Sequence, residues 1–141
     1  MVRGSVAGRV ILRPIGVARS PFLEQEGTPI QPVYAEGAVG TIELAPEYVP
    51  ALADLEGFER IWVLWLADRA RAYRPLVVPY RDDRPRGLFA TRSSSRPNPI
   101  GLSCLRLGAI RGSTLEVADL DLLDGTPVLD LKPYVPAFDA F

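Results

Sequence analysis

Short apolar segments, cut at close spacing by proline and by glycine-containing turns, constrain this chain more than any other feature. Proline fixes its own φ and drives the residue before it out of the α region. Pro50 therefore limits "APEYVPALADLEGF" (45–58) to a brief helix opened near Pro46 and stopped at Gly57, and Pro75, Pro79 and Pro85 forbid a long helix after residue 70. What remains reads as strand. "GRVILRPIGVARS" (8–20) is a β-rich start bent at Pro14, and "AVGTIEL" (38–44) alternates as a half-buried strand does. "FERIWVLWLAD" (58–68), apolar on both faces after Arg60, predicts the central strand of the core. "GLFAT" (87–91) predicts a short strand, "IGLSCLRLGAIRGS" and "TLEVADLDLL" a hairpin turning at Gly112-Ser113, and "VLDLKPYV" a last strand after a tight turn at Asp124-Gly125. Some seven strands with one short helix predict a mainly β fold, a small barrel or sandwich, in one domain over residues 1–141.

Composition narrows the chemistry. The 141 residues contain no histidine, one lysine (Lys132) and one cysteine (Cys104), which removes an imidazole base, a Ser-His-Asp triad and an internal disulfide. Too few ligands remain for a zinc site, and no metal is expected. Cys104 lies in an apolar strand and reads as a buried structural thiol. No apolar run reaches the ~20 residues that span a bilayer, and arginines at 3, 9, 13 and 19 interrupt any signal-peptide core. A cytoplasmic protein with no membrane partner is expected.

The net charge of −1 draws no polyanion, yet residues 69–96 carry eight arginines (69, 71, 74, 81, 84, 86, 92 and 96) against Asp82 and Asp83. Arginine pairs with phosphate in bidentate geometry and stacks on bases, and Tyr73 and Tyr80 are interleaved, so this segment reads either as a solvated loop or as a nucleic-acid face. It leads into "ATRSSSRPNPIGLS" (90–103), where Pro97 and Pro99 stiffen a loop bearing Arg92, Arg96 and Asn98, and Gly101 permits close backbone approach. The three serines lack a base, so a nucleophile is the weakest reading; they either solvate a turn or belong to a ligand-binding ledge. A parallel corner stands in "DLLDGTPVLDLKPYVP" (121–136), where a turn and the strand after it carry Asp124, Thr126, Asp130, Lys132 and Tyr134.

No dinucleotide or P-loop glycine pattern is present, so a Rossmann-type enzyme is not expected. Instead, "PIGVARSPF", "TPIQP", "LADLEGFERIWVL", "FATRSSSRPNPIGLS" and "DLDLLDGTPVLDLKPYVP" resemble, in order, the signature segments of the TsaA-like family, also called the TrmO family. The resemblance runs from about Leu12 to Asp139.

The resemblance implies a small TsaA-like β-barrel with an Arg-rich insertion loop. It implies a homodimer that uses S-adenosyl-L-methionine to methylate N6 of threonylcarbamoyladenosine 37 in tRNA. Cofactor contacts would fall on Pro29, Ile30, Gln31, Ala67, Asp68, Arg92, Leu102, Asp124, Gly125, Thr126 and Pro127. Contacts to tRNA would fall on Arg69, Arg71, Arg74, Arg84, Arg86, Arg96 and Asn98. The methyl donor arrives activated, so positioning does most of the work; a proton acceptor, if used, would come from Asp68, Asp124, Asp130 or Tyr134. Two departures stand out. Family members commonly carry a histidine where this chain has Ala67-Asp68, and longer members carry an additional C-terminal domain, which is not expected here. A binding module for the cofactor or for RNA, and a methyltransferase with another acceptor, remain the competing readings.

Overall fold

The computed structural model describes residues 8–23 and 37–141. Its strands are β1 Gly16–Arg19, β2 Val39–Leu44, β3 Arg60–Leu66, β4 Leu76–Val77, β5 Arg86–Gly87, β6 Ile100–Arg111, β7 Thr114–Ala118 and β8 Pro127–Pro133. Six of them close into a barrel in the order β1-β2-β7-β6-β3-β8, every neighbouring pair antiparallel, while β4 and β5 form a separate ribbon inside the Arg-rich segment.

Alternation along the strands fills the interior. Ala18, Ile42, Leu44, Ile61, Val63, Leu105, Leu115, Val117 and Val128 point inward and are buried, and Leu120 and Leu122, from the link between β7 and β8, complete the core. The two turns read from the sequence are present: β6 and β7 meet around Gly112 (φ 61), and Gly125 (φ 82) takes the left-handed position of the turn before β8.

Several expectations change. β3 is central, pairing with β6 and β8, but its faces differ: Ile61 and Val63 are fully buried, whereas Trp62, Leu64 and Leu66 are half-buried on the outer wall. A barrel strand has only one covered face. Residues 8–15 form no strand, and Val10 and Ile11 stand exposed; β1 begins at Gly16, where pairing with β2 and β8 starts. Residues 88–90 form a 3-10 turn rather than a strand. The expected short helix at 46–57 is also 3-10, in two pieces, Pro46–Leu52 and Leu55–Gly57. A four-residue helix, α1 Pro136–Asp139, follows β8, where Asp139 accepts hydrogen bonds from Trp62 Nε1 (3.3 Å) and the Val135 amide (2.7 Å). Cys104 is half-buried on the outer wall, and burial pushes its thiol pKa up.

Asp119, at the end of β7, sits at φ 62 and receives Arg60 Nη2 at 3.0 Å and Arg106 Nη2 at 3.5 Å. Asp119→Ala loses both pairs and places a residue without a local acceptor in left-handed backbone. We expect a loss of about 1–2 kcal/mol in urea unfolding; Asp119→Asn, which tolerates that backbone, is expected to lose less.

Candidate functional site

Three segments meet at one mouth of the barrel, where β3 ends and β6 and β8 begin. The link is residues 67–69. The Ala67 amide donates to Pro99 O at 2.8 Å, fixing the end of β3 to the proline-braced ledge. Arg69 Nη2 donates to Asp124 O at 2.8 Å and to Thr126 Oγ1 at 3.4 Å, fixing the same segment to the Asp-Gly turn. The two corners singled out in the sequence are thus held at one place by a single short stretch.

The turn is built locally and then anchored. Thr126 donates to Leu123 O through its amide (3.2 Å) and through its hydroxyl (2.6 Å), and the Gly125 amide donates to Ala18 O at 2.8 Å. Asp124 Oδ1 accepts from the Ser20 amide at 3.1 Å, Oδ2 lies 3.8 Å from Arg19 Nη1, and the Asp124 amide donates to Phe22 O at 2.7 Å. Both carboxylate oxygens of Asp124 therefore hold the β1 exit in place. Pro127 opens β8 beneath this turn, in register with Val17.

The ledge is a chain of hydroxyl and guanidinium bonds. Thr91 Oγ1 donates to Leu88 O (2.8 Å) and accepts from the Ser93 amide (3.2 Å), and Ser93 Oγ accepts from the Ser95 amide (3.3 Å). Arg96 turns back, its Nη1 donating to Thr91 O (3.0 Å) and Ser93 O (2.8 Å), with the guanidinium over the Phe89 ring. Hydroxyls that cap local amides make such a loop rigid. Arg92 and Asn98 are exposed on it.

The candidate residues divide accordingly. Ala67, Asp68, Asp124, Gly125, Thr126 and Pro127 gather at this mouth, and Arg92 stands exposed on the ledge that joins it. Leu102 lies nearby but on the outer wall, opposite Leu64 and 41% exposed. Pro29, Ile30 and Gln31 lie outside the described residues. Asp68 is exposed beside Arg69 (3.7 Å). Tyr134 and Asp130 are elsewhere: Tyr134 follows the far end of β8, its amide bonded to Arg60 O and its ring edge-on to Trp62, while Asp130 pairs with Lys132 (3.2 Å). Asp130 also lines an open cavity of about 360 Å³ between the barrel and the 46–57 turns. Within one chain, neither meets Asp68 or Asp124.

Of the arginines expected to face a polyanion, Arg71, Arg74 and Arg84 are exposed, together with Tyr73 and Tyr80. Three others are already engaged: Arg69 with the turn, Arg96 with the ledge and Arg86 with Asp82 (2.8 Å), whose carboxyl this pairing holds below its usual pKa. Among the described residues, no group of three or more metal-ligating side chains occurs, and no helix is long and apolar enough to cross a membrane.

Sequence reasoning passed over one buried network. Trp65 Nε1 donates to Ser103 Oγ at 3.0 Å, and Ser103 Oγ bonds to Asp121 Oδ1 and Oδ2 at 2.8 and 3.1 Å. Burial pushes the Asp121 pKa up from 3.8 to about 6 against the opposing Ser103 bond. The only signal in the sequence was polarity at two inward strand-like positions.

Comparison with known proteins places the fold. A protein from Archaeoglobus fulgidus named S-adenosyl-L-methionine-binding protein is 42% identical over 130 residues, covering 92% of this chain and 93% of that one. The tRNA (adenine(37)-N6)-methyltransferase of Escherichia coli is 40% identical over 132 residues, covering 86% of this chain but 56% of the enzyme. The crystal structure of TrmO from Pseudomonas aeruginosa superposes with a TM-score of 0.81 at 43% identity, over 95% of this chain and 60% of that one. This chain therefore spans little more than half the length of the latter two. The family model described as the tRNA-methyltransferase O N-terminal domain matches residues 17–140, and the chain belongs to that family.

Proposed function

We propose that this chain is an S-adenosyl-L-methionine-dependent methyltransferase acting on N6 of adenosine 37 in tRNA, with threonylcarbamoyladenosine as the acceptor. The observation that carries this reading is the meeting of the ledge, residues 67–69 and the Asp124 turn at one barrel mouth, in a chain of this family.

The residues there fit the cofactor. Asp68 offers an exposed carboxylate for hydroxyl or ammonium donors, the outer residues Ile100 and Leu102 an apolar surface, and the ledge beside them carries the Arg92 cation. When bound, S-adenosyl-L-methionine supplies a methyl group already activated on a sulfonium. The chain's own contribution is rigidity: proline-braced corners hold the acceptor nitrogen in line without ordering cost at the moment of reaction. Asp68 is the proton acceptor best placed in a single chain, because Asp124 is committed to Ser20 and Arg19.

The working unit is a cytoplasmic homodimer. Ile100 (40% exposed) and Leu102 (41%) stand beside Leu64 and Leu66 on the outer wall next to the site, an apolar patch that a second copy would cover. The β4-β5 ribbon and its arginines form the tRNA face.

Transfer of tritiated methyl from S-adenosyl-L-methionine to tRNA from cells lacking this activity tests the reading. The wild type is expected to label adenosine 37. The triple variant Arg71→Ala, Arg74→Ala, Arg84→Ala is expected to label at least about tenfold less at limiting tRNA, with the slope of log K against log salt reduced by roughly 2. Cofactor binding without labelling of any tRNA would favour a binding module, the role named for the Archaeoglobus relative. Unchanged tRNA affinity and salt slope in the triple variant would remove the ribbon from the tRNA face.

A further inference from the structure

The barrel interior contains one feature that stability alone does not ask for. Ser103 (1% exposed) and Asp121 (7%) occupy positions where aliphatic side chains would pack at lower cost, since a buried carboxylate bonded only to a hydroxyl and its own amide is expensive to desolvate. What these groups hold is the indole of Trp65.

That indole occupies a particular place. Trp65 is the last inward residue of β3, at a register shift in which Leu64 faces Asp130 but Trp65 faces Val128. Across β6 it faces Gly101, and its ring lies so close that a Cβ at 101 would overlap Cε2, Cζ2 and Cδ2. Two residues onward, the Ala67 amide bonds to Pro99 O, so the indole lies directly under the junction of ledge and β3 exit. At the other end of the network, Asp121 precedes the Asp124 turn by three residues, and the intervening Leu122 O accepts from Ser20 Oγ. A continuous polar chain thus runs from the root of the turn, through β6, to the aromatic plane under the ledge.

We infer that Trp65 forms the floor of the cofactor site and that Ser103 and Asp121 are positioning residues that fix its indole. The inference rests on the reading of this mouth as the cofactor site.

Calorimetric titration of S-adenosyl-L-methionine into the full chain tests it, with melting curves to confirm that each variant is folded. Ser103→Ala and Asp121→Ala are expected to weaken binding about tenfold and to shift the emission of Trp65, read in a Trp62→Phe background because the chain has only these two tryptophans. Asp121→Asn, which still offers Ser103 an acceptor, is expected to keep affinity within about twofold. In a Trp65→Phe background, which has no indole N–H to place, Ser103→Ala is expected to add nothing further; a purely structural serine would weaken binding in both backgrounds. Binding and emission that survive Ser103→Ala and Asp121→Ala unchanged would overturn the positioning role alone. Failure of the wild type to bind would overturn the cofactor reading, and the inference with it.

Discussion

Replacing Gly101 by alanine is expected to destabilise the barrel by about 3 kcal/mol and to abolish measurable cofactor binding. The added Cβ would overlap the ring-fusion bond, Cδ2–Cε2, and Cζ2 of the Trp65 indole. That ring has nowhere cheap to go: its Nε1 is bonded to Ser103, and the residue sits at the β3 bulge against Val128. Overpacking of a filled interior usually costs 1–3 kcal/mol, and the top of that range applies when the obstacle is a tethered aromatic ring. Denaturant unfolding of Gly101→Ala checks the stability, and titration checks the site. Gly101→Ala combined with Trp65→Val, which clears the obstacle, is expected to be more stable than the sum of the two single changes predicts. A single variant within about 0.5 kcal/mol of the wild type would mean that the indole does not lie on Gly101.

The second large effect is on the pH dependence of stability. Asp121 is nearly buried and bonded to Ser103, and burial pushes its pKa from 3.8 to about 6. The folded state therefore holds this proton more tightly than the unfolded chain does. Its contribution is fully present below about pH 4, declines as pH rises through 6, and is absent above about pH 7. The difference amounts to about 3 kcal/mol between the two plateaus. Unfolding free energies of the wild type minus those of Asp121→Asn, measured from pH 4 to pH 8, isolate this contribution from the surface carboxylates. A flat difference across that range would show that the carboxyl is not desolvated.

What could be read from the sequence was what local chemistry dictates. The Gly112 hairpin and the Asp124-Gly125 turn follow from residues that tolerate positive φ, and the ledge follows from Pro97 and Pro99, so all three stand where they were expected. Barrel closure depends on β1 finding β8, a pairing between the two ends of the chain that no local pattern encodes. Tyr134 shows what such a reading leaves out. It was grouped with the Asp124 turn because both flank one strand, yet β8 is seven residues long and carries Tyr134 roughly 20 Å from the turn. Arg96 and Arg69 show another limit: a sequence shows that an arginine is present, but not that its guanidinium is bonded to nearby carbonyls, as both are here. The Ser103–Asp121 pair was passed over because it depends on the bulged register of β6 with β7, which, continued past Ala118, brings Asp121 opposite Ser103.

The β1-β8 seam is only two residue pairs long, Gly16 with Val128 and Val17 with Pro127, and the Asp124 turn is its continuation, bonded to Ala18, Ser20 and Phe22. A molecule gripped between that turn and the β3 exit would act as a clasp across the narrowest join of the barrel. Occupancy and resistance to opening would then be one property: hydrogen exchange at Ala18 and Gly125 would slow in proportion to ligand saturation, while amides deep in β6 would follow global unfolding.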